Sequence, residues 1–219
     1  MVKKLLFVLF LGGSFVSFAQ SNFTGGWLPK VNMSKKLSDK TKWVNSIEAR
    51  EVLYTDAFEF THNLVDVSTI LSMKTDLNQS VNVGYILRFK EGETIHRLLQ
   101  HFNIVQNFDG FKLAHRLGME QFFQKNVRPQ YRTRYRATLQ KALSGEKVDV
   151  KEWYIKIANE YLYQFNQEDF ELRVSPYLGY QLSKKDKLEF GLDYRLGKLL
   201  DSPQKHSLWF RTTWYISID

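Results

Sequence analysis

The stretch Gln130–Gln140, QYRTRYRATLQ, decides how the rest of the chain is read. Arg132, Arg134 and Arg136 take every second position, with Tyr131, Thr133 and Tyr135 between them. Residues two apart do not share a helix face, so this run builds no basic helix. On a strand the same spacing puts the guanidiniums on one side of the sheet and the tyrosines on the other. A basic run interleaved with aromatics is also a nucleic-acid pattern. The export signal described below argues against that reading.

The alternation continues outward from this run. Leu188, Phe190, Leu192, Tyr194 and Leu196 alternate with Glu189, Gly191, Asp193, Arg195 and Gly197. Phe170, Leu172 and Val174 alternate with Glu171, Arg173 and Ser175, and Val81, Val83, Tyr85, Leu87 and Phe89 form a further apolar face. A period of two marks strands with one face buried. Turn-forming clusters separate the runs, among them SDKT from Ser38, KEGE from Lys90, NFDGF from Asn107 and SKKDK from Ser183. The runs are about 10 to 16 residues long, more than the ~5–6 of ordinary sheets and near the ~9–11 of tilted membrane strands. Ten of them lie between residue 41 and the C-terminus, and a weaker one covers Trp27 to Leu37. Bacterial single-chain barrels carry even strand numbers. The expected fold is therefore all-β, an antiparallel up-and-down transmembrane β-barrel of about ten strands. Twelve is the alternative if the region from Val52 to Val67 is divided differently.

Composition narrows the function classes. The 219 residues include no cysteine, which removes disulfides, thiolate metal sites and thiol nucleophiles together. The opening MVKKLLFVLFLGGSFVSFAQ has a basic start at Lys3 and Lys4, an apolar run from Leu5 to Phe18, and small residues at Ser17 and Ala19. This predicts a signal peptide over residues 1–19, cleaved after Ala19, and a single barrel domain over 20–219. An exported barrel belongs in the outer membrane, where it has no nucleic acid to bind.

Alternation alone does not say which face is inside. A soluble periplasmic barrel around an apolar ligand would have its apolar face inward, and a membrane barrel the reverse. Three features favour the membrane arrangement. Gly84, Gly118, Gly179, Gly191 and Gly197 all fall on the polar face, as a crowded interior requires. That face also carries Glu48, Arg50, Arg88, Arg97, Arg116, Glu120, Arg132, Arg134, Arg136, Lys156, Glu160, Arg173, Glu189, Asp193, Arg195 and Arg211. Arginine dominates this set, and its planar fork suits enclosed pairing with carboxylates. The apolar face is broad and carries Trp153, Tyr161, Tyr163, Phe165, Phe170 and Trp214, like the aromatic girdles of outer-membrane barrels.

The chain resembles the outer-membrane barrel family called domain of unknown function 2490, common in Bacteroidota. The resemblance is carried by Trp27, by EAR at Glu48 to Arg50, by Gly84-Tyr85, by the RTRYR run, by NEYLY around Glu160, and by GYQL and FGLDYRLG at Gly179 and Phe190. It implies a barrel fold and an outer-membrane address, and it brings no catalytic residues.

The chemistry expected of the charged face is electrostatic. Ten arginines and one lysine stand against five carboxylates in that set, with Glu171 a possible sixth. Buried charges must pair or meet water, so the surplus predicts a structural barrel or narrow pore that favours anions. A lipid-modifying enzyme would need a nucleophile and a base on neighbouring same-face positions. None of His62, His96, His101, His115 and His206 is followed two residues later by serine. No enzyme activity, cofactor or metal is expected. The expected partners are outer-membrane lipid, lipopolysaccharide at lysine-rich turns such as Lys184-Lys185, and the barrel assembly machinery. Many barrels end on an aromatic recognised during assembly, whereas this sequence ends Ile218-Asp219.

Overall fold

The alternating runs become eleven strands of one closed barrel in a computed structural model that describes residues 23–218. The expected signal peptide lies outside the described residues. In chain order the strands are β1 (Phe23–Lys36), β2 (Thr41–Tyr54), β3 (Phe58–Asp76), β4 (Gln79–Lys90), β5 (Glu93–Phe108), β6 (Phe111–Gln124), β7 (Val127–Ala142), β8 (Trp153–Gln164), β9 (Asp169–Gln181), β10 (Asp186–Gly197) and β11 (Lys205–Ile218). Neighbours in sequence pair antiparallel from β1 through to β11.

β2 to β11 are the ten strands that alternation marks. The weaker segment is also a full strand, and it closes the ring by pairing parallel with β11, from Phe23 opposite His206 to Lys35 opposite Ile218. That parallel seam is how an odd number of meandering strands closes without a free edge. The strand is weak in sequence because it holds Gly25, Gly26 and Pro29. Proline cannot donate to a ladder, and the β1–β2 ladder skips Leu28 and Pro29.

The outer face is apolar across the strands. Ile47, Val83 and Leu117 expose 57%, 52% and 56% of their surface and point away from the interior. Several polar groups on this face pair with one another. Trp27 Nε1 donates to Thr212 Oγ1 at 3.0 Å, and Trp43 Nε1 to Thr69 Oγ1 at 2.7 Å. Gln100 and Gln121 exchange two amide hydrogen bonds at 3.2 and 3.0 Å. Tyr85 with His96, Tyr135 with His115 and Tyr194 with His206 form three further pairs.

Glycine shapes the inside. An added Cβ at Gly179 would lie 2.1 Å from Tyr154 Cζ, at Gly191 2.3 Å from Tyr177 Cδ1, and at Gly118 2.8 Å from His101 Cδ2. Each of these large side chains sits directly opposite its glycine on the next strand. Gly26 under Trp209 and Gly84 under Leu99 repeat the arrangement. Gly197 does not, since its nearest neighbours lie at ordinary contact distance.

Candidate functional site

The barrel encloses a cavity of about 1180 Å³. Thr24, Thr55 and Lys198 line it at one end, and Lys42, Ser72 and Thr138 at the other. Every charged residue singled out in the sequence lines this cavity except Glu189 and Asp193, which are packed into the wall at 2% and 1% exposure. Among the lining side chains, lysine and arginine outnumber aspartate and glutamate by more than two to one.

Register decides which charges meet, because directly opposed and diagonal side chains on one face come within reach. Glu120 on β6 stands opposite Arg132 on β7 and diagonal to Arg134, with Arg97 on its other flank. It is fully buried and accepts Arg132 Nε at 2.8 Å, with Arg134 at 3.3 Å and Arg97 at 3.7 Å. The guanidiniums of Arg97 and Arg132 both lie over the Phe122 ring, at 5.4 and 4.9 Å. Glu160 on β8 is flanked directly by Arg136 and Arg173. It faces Arg134 at 3.5 Å, Arg173 at 3.5 Å and Arg136 at 3.8 Å. Arg134 is thus shared between the two carboxylates.

Two smaller groups lie elsewhere on the wall, one across β2, β10 and β11 and one across β8, β10 and β11. Arg211 donates to Glu48 at 2.7 Å and to Asp193 at 2.9 Å, and Arg195 donates to Asp193 at 2.9 Å. Glu189 pairs with Lys156 and accepts the hydroxyls of Tyr154 at 2.7 Å and Tyr215 at 3.0 Å.

Two arginines of the set have no carboxylate partner among the described residues. Arg50 lies 5.2 Å from the centre of the Trp209 ring, and its Nε is buried without a hydrogen bond. Arg116 donates its Nε to Asn103 Oδ1 at 2.7 Å.

The structure brings three further charged residues into the network, two of them, Asp66 and Lys30, not singled out by parity above. Asp66 takes a two-point pair from Arg88, with Nε and Nη2 each at 2.7 Å. Lys30 reaches Glu48 at 3.4 Å. Glu171, the possible sixth carboxylate, accepts Arg173 Nε at 2.6 Å. Asp66 shares its parity with Ser68 and Ser72, and Lys30 with Asn32 and Ser34, so the signal was the same polar parity in the two segments hardest to divide. Among the described residues no group of three or more histidines and carboxylates is placed to hold a metal ion.

A model of the proteins of unknown function DUF2490 matches residues 24–205. No curated protein matches the chain. Among solved structures the chain is similar to an anion-selective porin from Comamonas acidovorans, at 11% identity and a TM-score of 0.43, over 77% of this chain and 54% of the porin. The chain thus spans about half the length of that porin.

Proposed function

The chain belongs to the DUF2490 family, and we propose that it is an outer-membrane barrel with a narrow, wet, anion-favouring lumen. The observation that carries this reading is the excess of guanidiniums over carboxylates along a cavity lined from one end of the barrel to the other. Uncompensated buried charge is too costly to keep dry, so the surplus requires water and draws mobile anions. Strands of 12 residues, rising ~3.3 Å each and tilted ~40°, span about 30 Å. Spread over that length, the 1180 Å³ cavity has a mean cross-section of about 40 Å², which suits a wet, narrow interior.

The outer face supports the membrane half of the reading. Several of its tryptophan, tyrosine, histidine, glutamine and threonine groups pair with one another, as suits polar groups where no water is available. An interior of charged and hydroxyl side chains disfavours a soluble barrel around an apolar ligand. A lipid-modifying enzyme would need a histidine activating a hydroxyl nucleophile. Here His96, His115 and His206 bond tyrosine hydroxyls on the outer face, and His62 bonds Glu51 at 2.9 Å. Among the described residues neither ring nitrogen of His101 has a hydrogen-bond partner, and no histidine bonds a serine or threonine.

The test is conductance of the purified chain in a planar bilayer under a potassium chloride gradient. The reversal potential should lie on the chloride side of zero. A potential on the potassium side, or no conductance above the bare bilayer, overturns the reading. Fractionation should recover the protein in the outer membrane, with gel mobility that shifts on boiling.

A further inference from the structure

Arg116 on β6 and Arg136 on β7 stand directly opposite one another on the inner face. Two like charges at opposed positions repel and destabilise a sheet unless something of opposite sign lies between or beside them. The sheet supplies little of that. Among the described residues Arg136 has only Glu160 as an ion-pair partner, at 3.8 Å and shared with two further arginines, and its Nε is buried without a partner. Arg116 has no carboxylate among the described residues.

Arg116 is nevertheless held in place. Its Nε donates to Asn103 Oδ1 at 2.7 Å, and Asn103 Nδ2 donates in turn to Ser80 Oγ at 3.1 Å. Asn103 is 9% exposed, so this chain of contacts is mostly shielded from water. A neutral acceptor therefore fixes the guanidinium plane without cancelling its charge. The terminal Nη groups remain available to the cavity that both arginines line. A pinned, charged fork next to a second guanidinium has the chemistry of an oxyanion clamp, since planar N–H pairs match two oxygens of one group.

We propose that Arg116 and Arg136 form a discrete binding station for a small oxyanion (a phosphate, sulfate or carboxylate group), with Asn103 as the positioning residue. The proposal rests on the reading of the interior as wet and anion-favouring. It adds a saturable site that prefers a bidentate oxyanion over a halide. The station lies mid-strand inside the closed wall, so its ligand is a free solute and not a lipid headgroup.

The experiment uses the full mature chain folded in a phosphate-free detergent, with inorganic phosphate as the probe. Calorimetry should show one saturable site in chloride buffer. Arg116→Lys keeps the charge and loses the fork, and should weaken phosphate binding about tenfold or more. Asn103→Asp places a carboxylate on Arg116 Nε; it should abolish phosphate binding while leaving the fold at least as heat-resistant. In the bilayer, phosphate should block chloride current in the native chain and not in Asn103→Asp. Phosphate binding that never saturates, or that is unchanged in both variants, overturns the station. The underlying reading fails separately. A chain with saturable, Arg116-dependent binding but no anion preference keeps the station and loses the pore. Anion preference without phosphate saturation keeps the pore and loses the station.

Discussion

Glu120→Gln is the most informative single change in the interior network. Glu120 is fully buried and serves Arg97, Arg132 and Arg134. Arg134 keeps Glu160 at 3.5 Å after the substitution. Arg97 and Arg132 lose the one carboxylate paired with them among the described residues. Breaking a buried pair costs about 3–5 kcal/mol when the remaining charge stays dry. The side chains of Arg97 and Arg132 are 12% and 13% exposed to the cavity, so water recovers part of that. Glutamine preserves the shape, so no cavity cost is added. The expected loss is about 2–3 kcal/mol. With a urea slope of ~2 kcal/mol/M, the unfolding midpoint should fall by about 1–1.5 M. Tryptophan fluorescence of the protein in lipid vesicles measures it. Adding Arg132→Gln to Glu120→Gln should recover a large part of the loss, because the two side chains are directly coupled. A midpoint shift below about 0.3 M would refute the reasoning. It would mean that the arginines around Glu120 are already neutralised by solvent ions.

Three further outcomes test other parts of the structure. Leu117→Arg, on the outer face, should cost about 2–4 kcal/mol if that face lies in hydrocarbon at the bilayer midplane and almost nothing if it lies in water; vesicle unfolding midpoints decide it. Gly179→Ala should displace the Tyr154 ring and its bond to Glu189, costing about 1–3 kcal/mol by overpacking, whereas Gly92→Ala, in an open turn at φ +79°, should cost only about 1 kcal/mol. Removing residues 23–36 takes away β1 and leaves the facing edges of β2 and β11 unpaired, so the truncated chain should aggregate on refolding and show no heat-dependent gel shift.

Parity was legible in the sequence, and pairing was not. The period of two assigns Arg132, Arg134 and Arg136 to one face whatever the strand's neighbours are. The ion pairs formed within one strand could also be read, since Glu171 with Arg173 and Asp193 with Arg195 are two apart and share a face. Asp66 with Arg88 could not, because that pair depends on the β3–β4 register. The closing strand was obscured by its own composition. Gly25, Gly26 and Pro29 weaken the strand signal of β1, and only the ring supplies what holds it, a parallel ladder to a strand more than 180 residues away in sequence. The expectation of an even strand count also hid it, because it assumed that every neighbouring pair is antiparallel.

The charge imbalance in the interior is not a by-product of holding the wall together. Eleven strands joined in a closed ladder satisfy their own backbone groups and leave no edge, so the fold does not depend on the interior side chains for closure. A network that served stability alone would pair each guanidinium with its own carboxylate. Here Glu120 and Glu160 each serve three arginines, and Arg116 is held by a neutral amide. A single change, Asn103→Asp, would correct the last of these. Charge and stability are therefore set against each other, and substitutions should move them in opposite directions. Glu120→Gln should lower the unfolding midpoint and raise the anion preference. Asn103→Asp should raise the midpoint and lower that preference. Measured together by vesicle unfolding and bilayer reversal potential, the two variants should fall on opposite sides of the native chain along both axes. If stability and anion preference rise and fall together instead, the arginines are structural and the surplus charge does not select what enters the barrel.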